Sequence, residues 1–315
     1  MCYFCPGQFN KCSSRMKNFF SKLVILVVLN PLSRLPFGVI YFVSDGLFLL
    51  IYYLVGYRKK VVFNNLRNSF PEKSEGEIKK IAKEFYRHFC DLIVEAIKVA
   101  GLSREEMMKR MHIENPEVFE DLYRKNKNII VMAGHYNNWE WAATAVPAFI
   151  NHRCKGIFNP LKNKEFNDYI SVSRSKFGME LVSKRKFYNE LIPVSGEKPK
   201  AVFFLSDQLP KNPYKTFWTD FLNQETGFPY GAGVYAIKYD YPVVFGEVHK
   251  EKRGYYKIRM KVITEYPLKT SQDEILEKYS QLLEQQIVNN PQFWLWSHKR
   301  WKRSKPADYE SRFDK

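Results

Sequence analysis

The chain has 315 residues, carries 50 Lys and Arg against 33 Asp and Glu for a formal net charge of +17, and is 16% aromatic. That length allows one large core, or a catalytic body with a smaller appendage, and the charge calls for a phosphate-bearing or acidic partner, whether nucleic acid, membrane surface, phosphorylated lipid or carrier protein. Amphipathic aromatics beside cations favour a membrane interface among these, while the five cysteines exclude a disulfide framework and form no pair of CxxC zinc knuckles.

Residues 1–22 are basic and read as a disordered N-terminus, holding Cys2, Cys5 and Cys12, with Met16 the more conventional start. Residues 23–60 read as an apolar, membrane-associated segment. Its first run, LVILVVL at 23–29, stops at Asn30 and Pro31; its second, LPFGVIYFVSDGLFLLIYYLVGY at 35–57, has Asp45 as its only charge. About 20 apolar residues span a bilayer. A charge at the bilayer centre is costly unless paired or wet, so a span and an interfacial helical hairpin both stand as readings. Lys17 and Lys22 before the segment and Arg58, Lys59 and Lys60 after it leave the orientation unset by the positive-inside rule.

Residues 61–127 form a helical lead-in, with Ile78, Ile81, Phe85, Phe89, Leu92, Ile93 and Ala96 at three- and four-residue steps and Gly101 as a stop. His88 and Cys90 read as face and core residues of that helix. From 128 to 303 the runs NIIVMAG, RCKGIF, KAVFFLS, PVVFGEV and YYKIRMKVI alternate with polar helical stretches, the pattern of an α/β domain over 61–315.

The stretch VMAGHYNNWEW, residues 131–141, carries the chemistry. A strand ending near Ala133 would put His135 at its C-terminal mouth, where open α/β sheets hold their sites. On one continuous helix His135 and Glu140 would point apart; with Asn137 and Asn138 as turn formers between them, a strand-turn-helix can fold the carboxylate onto the imidazole. A histidine so oriented is a general base for a hydroxyl, and without a GxSxG elbow the substrate hydroxyl itself is the expected nucleophile. A zinc site lacks HExxH and a third ligand, so no metal is expected. YGAGVYA at 230–236 imitates a dinucleotide fingerprint, but NQETGFP before it reads as a loop, so no such cofactor is expected.

GHYNNWE, with its H-x4-D/E spacing, resembles the motif of the lysophospholipid acyltransferase superfamily and, within it, the lipid A biosynthesis (late or secondary) acyltransferases. Further blocks are similar to that family in the same order: RKKVVFNNLRNSFPEKSEGEIKKIAKEFYRHF, FNPLKNKEFNDYI, SRSKFG, FLSDQ and NPQFWLWSHKRWK, covering residues 20–303. The resemblance implies the acyltransferase H-x4-D/E fold, a mixed sheet flanked by helices with an N-terminal apolar membrane-associated helical segment. It implies His135 as base and Glu140 as its partner, and substrate-binding roles for Arg174, Asp207, Lys162, Asn138 and Arg300, with Arg300 closing a basic rim. Asn159 stands where the family usually has Arg, so Lys162 or Arg174 would supply that contact. The implied reaction moves an acyl chain from acyl carrier protein, or a coenzyme A thioester, to a phosphorylated glycolipid at the cytoplasmic face of a bacterial inner membrane, with no bound cofactor and no nucleic acid. A lysophospholipid, amino lipid or other glycolipid acceptor, and a non-catalytic protein that binds anionic lipid, are the alternatives.

Overall fold

A computed structural model of the chain describes residues 18–183 and 187–309; the segment 1–17, with its three cysteines and Met16, lies outside the described residues. Helix already runs through residues 18–22, the end of the stretch expected to lack structure. After Pro36 a single helix covers Phe37–Val55, long and apolar enough to cross a membrane. Its last seven residues are π-wound, and Gly56, at φ 63°, ends it in the left-handed conformation that glycine adopts without strain. Lys59–Ser69 and the long helix Glu75–Lys98 follow. The latter starts on a capping box in which Ser74 and Glu77 satisfy each other's backbone amides. Its periodic apolar residues Ile78, Ile81 and Phe85 are buried, as are His88 and Cys90.

Among the described residues the main sheet has seven strands: β1 (Met111–Ile113), β2 (Ile129–Ala133), β3 (Arg153–Phe158), β4 (Glu180–Ser183), β5 (Lys200–Leu205), β8 (Val243–Lys252) and β9 (Tyr255–Thr264), in the order β1-β9-β8-β2-β5-β3-β4. The strands from β8 to β4 are parallel; β9 runs antiparallel to β8, and β1 runs parallel to β9. The sheet is therefore mixed and flanked by helices. Its central strand alternates between two cores. Ile130 and Met132 pack with the Glu75–Lys98 and Gln272–Asn289 helices, while Ile129 and Val131 pack with Trp141 and Met107 on the other face. Burial on both faces explains why IIVMA is an unbroken apolar run.

Two further expectations change. The lead-in is not wholly helical, since β1 lies within it and joins the sheet edge. NQETGFP is not a loop: Gln224–Pro229 is β7, the second strand of an antiparallel hairpin with β6 (Thr216–Phe221). The hairpin stands outside the main sheet, so the strand before YGAGVYA still does not open a dinucleotide-binding unit. Gly233 of that stretch serves packing instead, because a Cβ there would lie 2.9 Å from the Gln272 carbonyl oxygen.

Candidate functional site

β2 and β5 run side by side and parallel, with Ala133 opposite Leu205. They leave the sheet at the same level, the Ser206 amide still donating to the Ala133 carbonyl at 3.1 Å. Two residues beyond the last pair, His135 and Asp207 meet. The His135 ring Nδ1 lies 2.6 Å from Asp207 Oδ1, and the His135 backbone N–H donates to Oδ2 at 2.7 Å. The Trp294 indole donates to the same Oδ2 at 2.9 Å. Burial alone would raise the Asp207 carboxyl, but the His135 charge and these donors outweigh it and hold the group down at about 2. Burial also works against a charged His135, yet the adjoining Asp207 carboxylate, aided by Glu140, raises its pKa above the ordinary imidazole value.

An ionised carboxylate on Nδ1 places the ring proton there and leaves the Nε2 lone pair outward. Nε2 faces a small cleft lined by His135, Asp207, Gln208, Trp294, Leu295 and His298. The Gln208 side-chain amide nitrogen lies 3.1 Å from it. Trp139 closes one side, edge-on to the imidazole at a centroid distance of 5.3 Å.

Glu140 was expected on His135, and the structure puts it elsewhere. It sits in the first turn of Trp139–Ala145, where Arg174 grips it through two bonds of 2.8 and 2.5 Å. The planar guanidinium fork matches both carboxylate oxygens, whereas His135 already has a carboxylate delivered by the neighbouring strand. Glu140 and Arg174 still act on His135 through space, and they line a cavity of about 270 Å³. The rest of its wall is largely apolar, including Leu29, Ile97, Val99, Phe166 and Ile170.

Two other expectations are corrected. Arg300 closes no rim: it is 1% exposed, donates to the Gly227 carbonyl at 2.6 Å and stacks on Phe228. Its Nε and Nη1 have no partner among the described residues, and burial lowers its pKa to about 10. Asn138 is buried and faces inward, so it cannot reach a substrate. Its Oδ1 accepts the Trp141 amide at 2.9 Å as an N-cap, and its Nδ2 donates to Glu95 at 2.7 Å. Lys162 is exposed in the turn between β3 and the Lys164–Ser175 helix.

The sequence reading missed Gln208, Trp294 and Glu95 as parts of this assembly. Gln208 follows Asp207 directly, and Trp294 lies in the aromatic run FWLW, so each had a local signal. Glu95 had none, being one more residue inside a helix.

A histidine held by a buried aspartate at the mouth of a mixed α/β sheet has the geometry of a general base. The family is more specific. The sequence pattern of the bacterial lipid A biosynthesis acyltransferases matches residues 8–303, and the chain belongs to that family. A curated relative, lipid A biosynthesis acyltransferase 2 of Shigella flexneri, is 21% identical over 237 residues, 74% of this chain and 74% of the relative. The chain is therefore similar to an acyltransferase of lipid A biosynthesis along most of its length.

Proposed function

We propose that this protein transfers a fatty acyl chain from a carrier-protein thioester to a hydroxyl of a phosphorylated glycolipid, a lipid A precursor, at the cytoplasmic face of the bacterial inner membrane. The observation that carries the reading is the 2.6 Å pairing of His135 Nδ1 with the buried Asp207. His135 Nε2 takes the hydroxyl proton as the oxygen attacks the thioester carbonyl. The resulting imidazolium is stabilised by Asp207. On collapse the C–S bond breaks, the imidazolium returns its proton to the departing thiolate, and an ester and a free thiol result. The acyl chain would lie in the apolar cavity, with Arg174 at its polar end for an oxygen of donor or acceptor. The basic rim comes from exposed Arg58, Lys299, Lys302 and Arg303 in place of Arg300; Arg58 already donates to the Ser297 carbonyl at 3.0 Å, one residue from His298 in the cleft.

The test is mass spectrometry of purified full-length protein with acyl-loaded carrier protein and a lipid A precursor. The wild type should add one acyl mass, and His135→Ala should lose at least about 100-fold in rate, the lower range for general-base removal. Equal product from both proteins would remove His135 from the mechanism. No product with folded wild type would overturn the acceptor or donor assignment.

A further inference from the structure

One face of the Phe37–Val55 helix is apolar and exposed, with Val39, Phe42, Leu50 and Leu54 outward. The opposite face carries Tyr41, Ser44 and Asp45, spaced three and four residues apart and so aligned in one stripe. Each of the three meets a partner on the body. Ser44 Oγ donates to Asp91 at 2.8 Å, and Arg253 clamps Asp45 and Asp91 together, at 2.7 and 2.6 Å from its Nη2. The Tyr41 hydroxyl donates to Glu95 Oε1 at 2.7 Å.

Glu95 is wholly buried and is a junction. Its Oε2 accepts from Tyr256 at 2.8 Å and from Asn138 Nδ2 at 2.7 Å, and its backbone carbonyl accepts the Trp141 indole at 2.8 Å. Asn138 and Trp141 begin the helix that carries Glu140, three and six residues after His135. One carboxyl group thus joins the apolar N-terminal helix to the turn that holds the base. A residue whose only task was to anchor the protein to lipid would have no need to reach this carboxyl.

We propose that seating of the Phe37–Val55 helix on the body positions the catalytic turn, with Tyr41 and Glu95 as positioning residues that pass the helix's placement to Asn138. The helix is then part of the active-site scaffold as well as a surface for lipid. The kinetic side of this inference rests on the proposed acyl transfer; the structural side does not.

The test uses the full chain in detergent micelles with Tyr41→Phe, Glu95→Ala and Glu95→Gln, reading kcat, KM, vesicle partition and hydrogen exchange at the Trp141 amide. Tyr41→Phe removes one hydroxyl and leaves the lipid-facing side untouched. It should lower kcat about 3- to 10-fold, the worth of one hydrogen bond, with KM and partition unchanged and Trp141 exchange faster. Glu95→Ala should do more. Glu95→Gln should recover most of it, because its oxygen still accepts from Asn138 while Tyr41 turns to accept from its amide. Wild-type exchange and kcat in Tyr41→Phe would overturn the proposal, as would a kcat loss that follows loss of partition. If the wild type transfers no acyl group, the functional reading fails, and the exchange result still decides the coupling.

Discussion

His135 can act as a base only while Nε2 is unprotonated, so its raised pKa has a direct kinetic consequence. kcat/KM should climb with pH through a midpoint above about 6.5, the ordinary imidazole value, and then level. Glu140 helps to hold that pKa up and Arg174 pulls it down. Glu140→Gln removes the first effect and leaves the second, so the midpoint should move lower, with a modest loss of kcat. Asp207→Asn acts differently. The amide can keep the bonds from the His135 N–H and Trp294 but offers a donor to Nδ1, which forces the ring proton onto Nε2 and removes the base. A loss near 10,000-fold in kcat is expected for a wrong tautomer. Finding Glu140→Gln the more damaging of the two would return the role of partner to Glu140. The sequence made His135 legible because strand, turn and helix start all lie within eleven residues. Its partner was not legible as such: Asp207 lies 72 residues away, and only the adjacency of β2 and β5 brings it to the ring. H-x4-E instead drew attention to the carboxylate closest in the chain.

Local periodicity decides which elements could be read from sequence. The Glu75–Lys98 helix announces itself because its burial follows the helical repeat, and β2 and β5 because they are short, nearly continuous apolar runs in the buried middle of the sheet. The β6–β7 hairpin does not, because Leu222 and Asn223 both adopt positive φ, 51° and 59°, in a turn with no glycine. Leucine there is strained by roughly 1–2 kcal/mol, and tertiary contacts offset it: the side chain is buried and its N–H donates to Glu284 Oε1 at 2.5 Å. The glycine of the stretch read as a loop, Gly227, lies within β7, paired with Trp218 and presenting its carbonyl to Arg300. A Cβ at 227 would run into the Thr216 methyl and stand 3.3 Å from the Trp218 ring. Gly227→Ala should therefore destabilise by about 1–3 kcal/mol, as overpacking does, seen as a Tm lower by several degrees. An unchanged Tm would mean that Thr216 can rotate aside freely and that the hairpin is loosely packed.

At the scale of the whole molecule, the +17 charge has to be reconciled with a site whose own charges are paired. Asp207 faces His135, Glu140 faces Arg174, and Arg300 is sealed beneath the hairpin. Little of the excess is spent on the chemistry itself, so it acts from the surface, and the exposed cations of the C-terminal segment lie next in sequence to His298 of the cleft. A surface field acts on encounter more than on the chemical step. It should draw in an acidic carrier protein and the phosphates of a glycolipid alike, at distances where salt screens it: the Debye length is about 10 Å at 0.1 M and about 3 Å at 1 M. Raising ionic strength from about 0.05 to about 0.5 M should therefore raise KM for a carrier-linked acyl donor by about tenfold or more, as expected when steering is screened, with kcat nearly constant. The same acyl chain on a short uncharged thioester should show almost no change. If both donors respond alike, the salt acts on the acceptor or on membrane binding, and the positive surface does not serve the carrier. If neither responds, the charge has no part in substrate capture, and the donor must be recognised through the cleft and cavity alone.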